Sequence, residues 1–397
     1  MLAGLIHLFL NFFVRRANRA AHNLRLVLAS TLLAVVMAAQ AKAQAQATWP
    51  AALVNDMANI DRHSQSRMGV YVLDLGTGVS ASYQADQRWY LASMVKVPVA
   101  MAVLKGVARG DYTLDTTLTL RAGDYVDGAG STNRKPVGTA ITVRTLLEQM
   151  IIHSDNTASD MLIDLVGIAE VNALVKSVVP GAAWRITTLH EVRRRIYGAL
   201  VPHADQLRGQ DLIELNRQRV DAERLQLLAH LLDTPVNQFQ LPSLDAAYNA
   251  YYATGLNSGR LDAYGELLAK LADGKVLNAL QTDYLLTLME RVVTGPRRLK
   301  AGLPIGTPFA HKTGTQRRRT CDSGLIRLAG MMDNGQPRRV VVVACTRDDA
   351  SVNRADFALM QVGAALCRSG LLTQGMPHAP FCPRVTGAER LPFDPVR

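Results

Sequence analysis

Strand-like and helix-like segments are unevenly spread along this 397-residue chain, and that distribution restricts the fold more than any single motif. Residues 69–75 (Gly-Val-Tyr-Val-Leu-Asp-Leu) read as a strand rich in β-branched and aromatic side chains. Gly76-Thr77-Gly78 predicts a turn, and residues 79–83 predict the returning strand of a hairpin. Three more strands are expected near the other end, over residues 309–315, 324–331 and 338–346. Between the two sets the apolar spacing is mostly helical. Helices are expected over 49–62, 93–108, 142–151, from Asn156 onward, and over 211–232, 258–271, 277–292 and 354–367. Strands from both ends of a chain satisfy their edges most simply by pairing with each other. The expected architecture is therefore α/β, an α+β sandwich. A five-stranded antiparallel sheet from residues 68–90 and 305–347 is flanked by helices, with a mostly helical lobe over about 91–300.

An apolar content of 48% supports a full core and excludes a disordered chain. The formal charge is +11, but Arg15, Arg16, Arg19, Arg25 and Lys42 lie in the first 47 residues with no acid among them. Nothing interleaves basic and aromatic residues as a nucleic-acid platform does, so no nucleic-acid partner is expected. The early arginines precede an apolar run over residues 26–39, and overlapping small-x-small sites follow from Ala39 to Ala47. This pattern predicts residues 1–47 to be a signal peptide or an N-terminal membrane segment, and a periplasmic or secreted protein. Any membrane contact would then run only through that segment. One domain over 48–371 and a tail over 372–397 remain. An exported chain permits disulfides. Cys367 and Cys382 are the pair expected to bridge, Cys345 reads as a small core residue, and the sequence leaves the connectivity with Cys321 open.

Three short motifs carry chemistry. Ser93-Met94-Val95-Lys96 opens the first helix of the lobe, with Ser and Lys one turn apart on one face. A serine hydroxyl needs a neighbouring group to take its proton, and a desolvated lysine can do so. Ser154-Asp155-Asn156 falls between two expected helices. Lys312-Thr313-Gly314, followed by Thr315, lies on the first strand of the C-terminal set. Each motif alone has an ordinary reading as a cap, a snorkelling lysine or an edge strand. Together, in this order and in helix, loop and strand contexts, they are far more specific.

With these motifs and the segment order, the chain resembles the penicillin-recognising serine enzymes, and within them the class A β-lactamases. The resemblance covers about residues 49–370. It implies that Ser93 is the acylated nucleophile, that Lys96 accepts or relays its proton, and that Ser154 passes a proton to the leaving nitrogen. It implies that Asn156 holds the acyl side chain and that Lys312, Thr313 and Thr315 bind the substrate carboxylate, with Gly314 allowing close approach. The backbone N–H groups of Ser93 and Thr315 would form the oxyanion hole. The implied activity is opening of β-lactam rings through an acyl-enzyme, in β-lactam catabolism and antibiotic resistance. The alternatives are a D-alanyl-D-alanine peptidase or penicillin-binding enzyme, and a sensor that acylates once. The implied partner is a β-lactam or a peptidoglycan stem peptide, bound by a monomer without cofactor or metal.

One element of the family pattern is missing. A deacylating Glu, followed four residues later by Asn, should lie on a loop after the second motif. Here the aligned position falls near Arg193. Glu191, Asp211 and Glu214 are the nearby candidates for that base, each with an ordinary reading as a surface acid. The segment between Ser154 and Lys312 is also longer than the family pattern. His153 and His311 read as spacers and Asp155 as a structural acceptor. Tyr125 reads as lining the cleft or packing its loop. Arg317-Arg318-Arg319 read as holding an anion or as a solvated turn.

Overall fold

The computed structural model describes residues 49–182, 184–331, 337–373 and 382–383; the expected signal segment and most of the tail lie outside these. Helix α1 spans residues 49–63 and packs Trp49, Leu53 and Met57 into the sheet. The hairpin β1 (Arg67–Asp74) and β2 (Ser80–Tyr83) follows, then β3 (Arg88–Tyr90) and helix α2 (Lys96–Arg109). A short ribbon, β4 (Thr117–Thr119) with β5 (Ala140–Thr142), leads into α3 (Val143–Ile152), α4 (Asn156–Val166) and α5 (Ile168–Val178). Then come α6 (Leu189–Gly198), α7 (Gly209–Arg217), α8 (Asp221–Leu231) and α9 (Leu244–Ala253). Strand β6 (Ser258–Arg260) precedes α10 (Leu261–Ala272), α11 (Ala279–Glu290) and the short α12 (Leu299–Gly302). The chain ends with β7 (Phe309–Gln316), β8 (Arg319–Met331), β9 (Pro337–Arg347) and α13 (Val352–Arg368).

The main sheet has the order β2-β1-β9-β8-β7, and every pairing is antiparallel. The expected single sheet from both chain ends is thus the one formed. β9 is central and carries the run Val340 to Ala344 buried on both faces. One face packs α1, α12 and α13; the other packs α2 and α10, whose core continues into the helical lobe. A separate core joins α6 to α9 through Val192, Ile196, Leu212, Leu228, Leu244 and Tyr251. It closes on Tyr90 and Ala92, the residues just before Ser93.

Three expectations are corrected. Residues 211–232 form two helices, because Gln218 is extended and its carbonyl accepts from the folded-back Arg224 guanidinium. Residues 258–260 are a strand paired with β3, too short to show a period. Cys345 is buried but is not an unpaired core residue. It sits opposite Cys321 in the β8–β9 register, with Cα atoms 4.1 Å apart, and is bonded to it. The Cys367–Cys382 bridge forms as expected and fixes part of the tail to α13.

Candidate active site

Ser93 lies on a 3-10 turn, Ala92–Val95, that runs directly into α2. Residues three apart eclipse in such a turn, so Ser93 and Lys96 share a face. Ala92 has a left-handed backbone (φ 49°), which costs a non-glycine residue roughly 1–2 kcal/mol. Strand β7 passes so close that a Cβ on Gly314 would lie 2.7 Å from the Leu91 carbonyl oxygen and 3.3 Å from the Ser93 nitrogen. Glycine at 314 is therefore a packing requirement of the turn that presents Ser93.

Lys96 is fully buried. Its Nζ donates to the Ser154 carbonyl (2.6 Å), to Asn156 Oδ1 (2.7 Å) and to Ser154 Oγ (3.3 Å). The expected Ser93 contact is not among its bonds. Lys312, also fully buried, donates from the opposite side to Ser154 Oγ (2.9 Å) and to the Thr313 carbonyl (3.1 Å). The Ser154 hydroxyl is thus held between two amines. Ser154 itself is left-handed (φ 60°), a second strained backbone at the same place. Burial pushes Lys96 down to about 7, helped by Arg193 and opposed by Asp155 and Asp160. Burial also drives Lys312 well below the usual lysine range, with Lys96 and Arg298 adding to the effect. Two adjacent buried ammonium groups would repel each other, so a neutral amine at neutral pH is the expected state for at least one.

The second motif is fixed from outside its own helix. Asp155 caps α4 through Ala158 N (2.9 Å) and also accepts from Thr132 N (2.8 Å), so it is structural, as expected. Asn156 Nδ2 donates to the Asp127 carbonyl (2.6 Å). Gly128 (φ 124°) leaves room for that amide, since its Cβ would sit 2.4 Å from Asn156 Nδ2. The Asp127 carboxylate pairs with Arg193 Nε at 2.6 Å, and both side chains are buried. Neither Asp127 nor the role of Arg193 was visible in the sequence, because their partners are distant along the chain.

The third motif is equally tied down. The Thr313 hydroxyl bonds that of Thr294 (2.5 Å), and Thr315 Oγ1 accepts from Arg298 Nη2 (2.7 Å). Buried Arg298 also donates to the Gly314 carbonyl (3.1 Å) and pairs with Asp356 of α13 (2.7 Å). Arg298 is a buried cation against the Thr313-Gly314-Thr315 strand that the sequence did not single out; nothing local marked it out among neighbouring basic residues.

The three candidate bases are not brought to Ser93. Glu191 pairs with Arg195 (2.6 Å) and lines cavities of about 910 and 550 Å³ that contain none of the three motifs. Asp211 forms a capping box with Arg208 (2.9 Å). Glu214 is exposed beside Tyr125, Arg134 and Arg217. The reason lies in helix phase. Residues two apart on α6 point about 200° apart, so with Glu191 facing out, Arg193 faces in. The α6 start is anchored by buried Asp160, which accepts from Leu189 N (2.7 Å) and His190 N (2.8 Å). Of the remaining residues, His153 is exposed, and His311 is buried against Asp322 (2.8 Å). Tyr125 is buried, with its hydroxyl donating to the Lys135 carbonyl (2.6 Å). The arginine turn grips the lobe. Arg317 pairs with Asp221 (2.6 Å) and Asp245, and Arg318 with Asp245 (3.2 Å). Arg319 stacks on the Tyr252 ring, 4.4 Å from its centroid.

This geometry has recognisable relatives. Beta-lactamase ROB-1 of Haemophilus influenzae is 35% identical over 141 residues, which is 35% of this chain and 45% of that protein. Beta-lactamase L2 of Stenotrophomonas maltophilia is 34% identical over 155 residues, 38% of this chain and 51% of that protein. The matched stretch thus spans about half the length of these relatives. Among solved structures, the beta-lactamase of Sphaerobacter thermophilus superposes with a TM-score of 0.58 at 21% identity, covering 81% of this chain and 98% of that one. PBP-A superposes with a TM-score of 0.54 at 24% identity, covering 79% and 94%. These two show a shared fold. The model of the beta-lactamase enzyme family matches residues 52–369, a span that holds all three motifs, the sheet and the lobe. The chain belongs to the beta-lactamase enzyme family.

Proposed function

We propose that this protein is an exported serine hydrolase that opens β-lactam rings through a Ser93 acyl-enzyme. The observation that carries the reading is the Ser154 hydroxyl held between Lys96 and Lys312 beside the Ser93 turn. In its neutral form, which burial makes accessible near pH 7, Lys96 takes the Ser93 proton as Oγ attacks the lactam carbonyl. The oxyanion that forms is held by the Ser93 and Thr315 backbone N–H groups; losing one such donor typically costs roughly 3–4 kcal/mol. Ser154 passes its hydroxyl proton to the departing nitrogen and is reprotonated by the Lys96 ammonium, whose Nζ lies 3.3 Å from its Oγ. Lys312, with Thr313 and Thr315 backed by Arg298, receives the substrate carboxylate. Two disulfides among the described residues fit an oxidising compartment, in line with export.

Arg193 favours a second reading. A cation takes the inward position on α6 where a water-activating carboxylate is expected. An enzyme built this way acylates and then releases its acyl group slowly, as a D-alanyl-D-alanine peptidase, penicillin-binding enzyme or sensor does. A chromogenic cephalosporin assay beside fluorescent-penicillin labelling separates the two. Rapid turnover supports the first reading; stable labelling with little turnover supports the second. Both require that Ser93→Ala abolish labelling, and a variant still labelled at the wild-type rate overturns the Ser93 acyl-enzyme altogether.

A further inference from the structure

One chain of contacts runs from α6 into the site. Arg193 Nε donates to Asp127 Oδ1 (2.6 Å). The carbonyl of the same Asp127 accepts from Asn156 Nδ2 (2.6 Å). Asn156 Oδ1 in turn accepts from Lys96 Nζ (2.7 Å). Each link is buried, and Arg193 Nη1 is enclosed with no hydrogen-bond partner. A guanidinium is expensive to bury, and an unpartnered donor adds to the cost, so the arrangement persists only because its surroundings fix it. The ion pair fixes residue 127, residue 127 orients the Asn156 amide, and the amide orients the amine next to Ser93.

We propose that Arg193 is a positioning residue for acylation: through Asp127 it sets the Asn156 amide against Lys96, and it places a permanent positive charge on the same buried side as that amine. The proposal rests on the acyl-enzyme reading above and deepens it. The ionisable groups facing Lys96 are Asp155 and Asp160 from α4, Arg193 from α6 and Lys312 from β7. The acids favour the ammonium and the cations oppose it. Asp160 favours the ammonium less than a full negative charge would, since burial pushes its carboxyl up to about 7. Arg193 stays charged throughout, held well above the ordinary arginine range beside Asp127. Removing the Arg193 charge leaves the acids less opposed, so Lys96 holds its proton to higher pH.

The test is the acylation rate constant with a fluorescent penicillin, followed from pH 5.5 to pH 9.5 on the full chain. Wild type is expected to gain rate as pH rises, with an inflection near 7. Arg193→Met moves the inflection to higher pH. A shift of one unit makes it about tenfold slower than wild type below pH 6, with the two profiles converging at the alkaline end. Arg193→Lys, which keeps the charge, restores most of the inflection. A merely structural role would lower the rate alike at every pH. An Arg193→Met profile that keeps the wild-type inflection therefore overturns the proposal. If Arg193→Met does not fold, Arg193→Gln is read in the same way. Absence of Ser93 labelling in the wild-type chain would instead overturn the acyl-enzyme reading, and the role of Arg193 with it.

Discussion

Gly314 shows how much of this site rests on the absence of a single methyl group. Its neighbour is backbone, the Leu91 carbonyl, which cannot rotate away as a side chain could. Gly314→Ala must push β7 from the Ser93 turn or open the β7–β8 pairing, a distortion that typically costs roughly 1–3 kcal/mol. The expected outcome is a tenfold or greater loss of the acylation rate with a modest loss of thermal stability. Acylation at the wild-type rate in Gly314→Ala would show that β7 does not hold the turn in place. At this scale the sequence was uneven. The cluster of Lys96, Ser154, Asn156 and Lys312 could be anticipated, as could Ser93 as a candidate beside it, because each belongs to a short motif whose spacing has chemical meaning. Arg193, Asp127 and Arg298 were not, since a buried arginine and a surface arginine read alike until their distant carboxylates are placed.

At the scale of elements, α6 is the decisive one, because its phase selects which side chain enters the site. Its direction is set by Asp160, whose carboxylate accepts both leading backbone N–H groups from a neighbouring helix. Removing that acceptor leaves one buried and one half-buried donor unpaired, the buried one costing roughly 1–3 kcal/mol. Asp160→Ala is expected to lower the unfolding free energy by about 2 kcal/mol or more in denaturant titrations. It should also weaken acylation, because the Arg193–Asp127 pair loses its fixed approach. A variant with the stability loss but wild-type acylation would separate the anchor from the site. The helix phase explains why Glu191, one of the three candidate bases, pairs outward with Arg195 while Arg193 turns inward. The sequence offered an acid two residues from the expected place, and two residues on a helix is nearly the opposite face. Long periodic elements such as α2, α10 and α13 were readable. The three-residue strands β3 to β6 were not, because a period needs more residues to declare itself.

The whole molecule adds a helical subcore, α6 to α9, to the sheet and lobe, and fastens it with charge. Arg317 reaches Asp221 and Asp245 on two different helices, and the Tyr252 hydroxyl donates to the Arg317 carbonyl (2.8 Å). Arg317→Ala removes the common member of this network. The expected result is a stability loss of about 1–2 kcal/mol that shrinks at high salt, with earlier proteolytic cleavage between residues 199 and 256. Unchanged proteolysis would mean that the apolar subcore alone holds these helices. That all five strands share one antiparallel sheet was readable from segment order, since strands at both ends need partners; the order β2-β1-β9-β8-β7 was not. The packing of the added helices was not, because their cohesion comes from contacts between helices that share no repeat.

The β1–β9 pairing has a consequence for the order in which the protein comes to exist. Its partners stand at opposite ends of the domain, Arg67 opposite Arg347 and Asp74 opposite Val340. Closing so long a loop is slow, and non-local pairing of this kind delays folding. A chain emerging N-terminus first exposes Ser93 and Lys96 long before Lys312 or the central strand arrives. Ser93 is then present without the Lys312 amine that bonds Ser154 or the close approach of Gly314 from β7. If Ser93 is the acylated residue, a chain arrested at that point holds the serine without the strand that completes its surroundings, and acylation is expected to appear only when the last strands close the sheet.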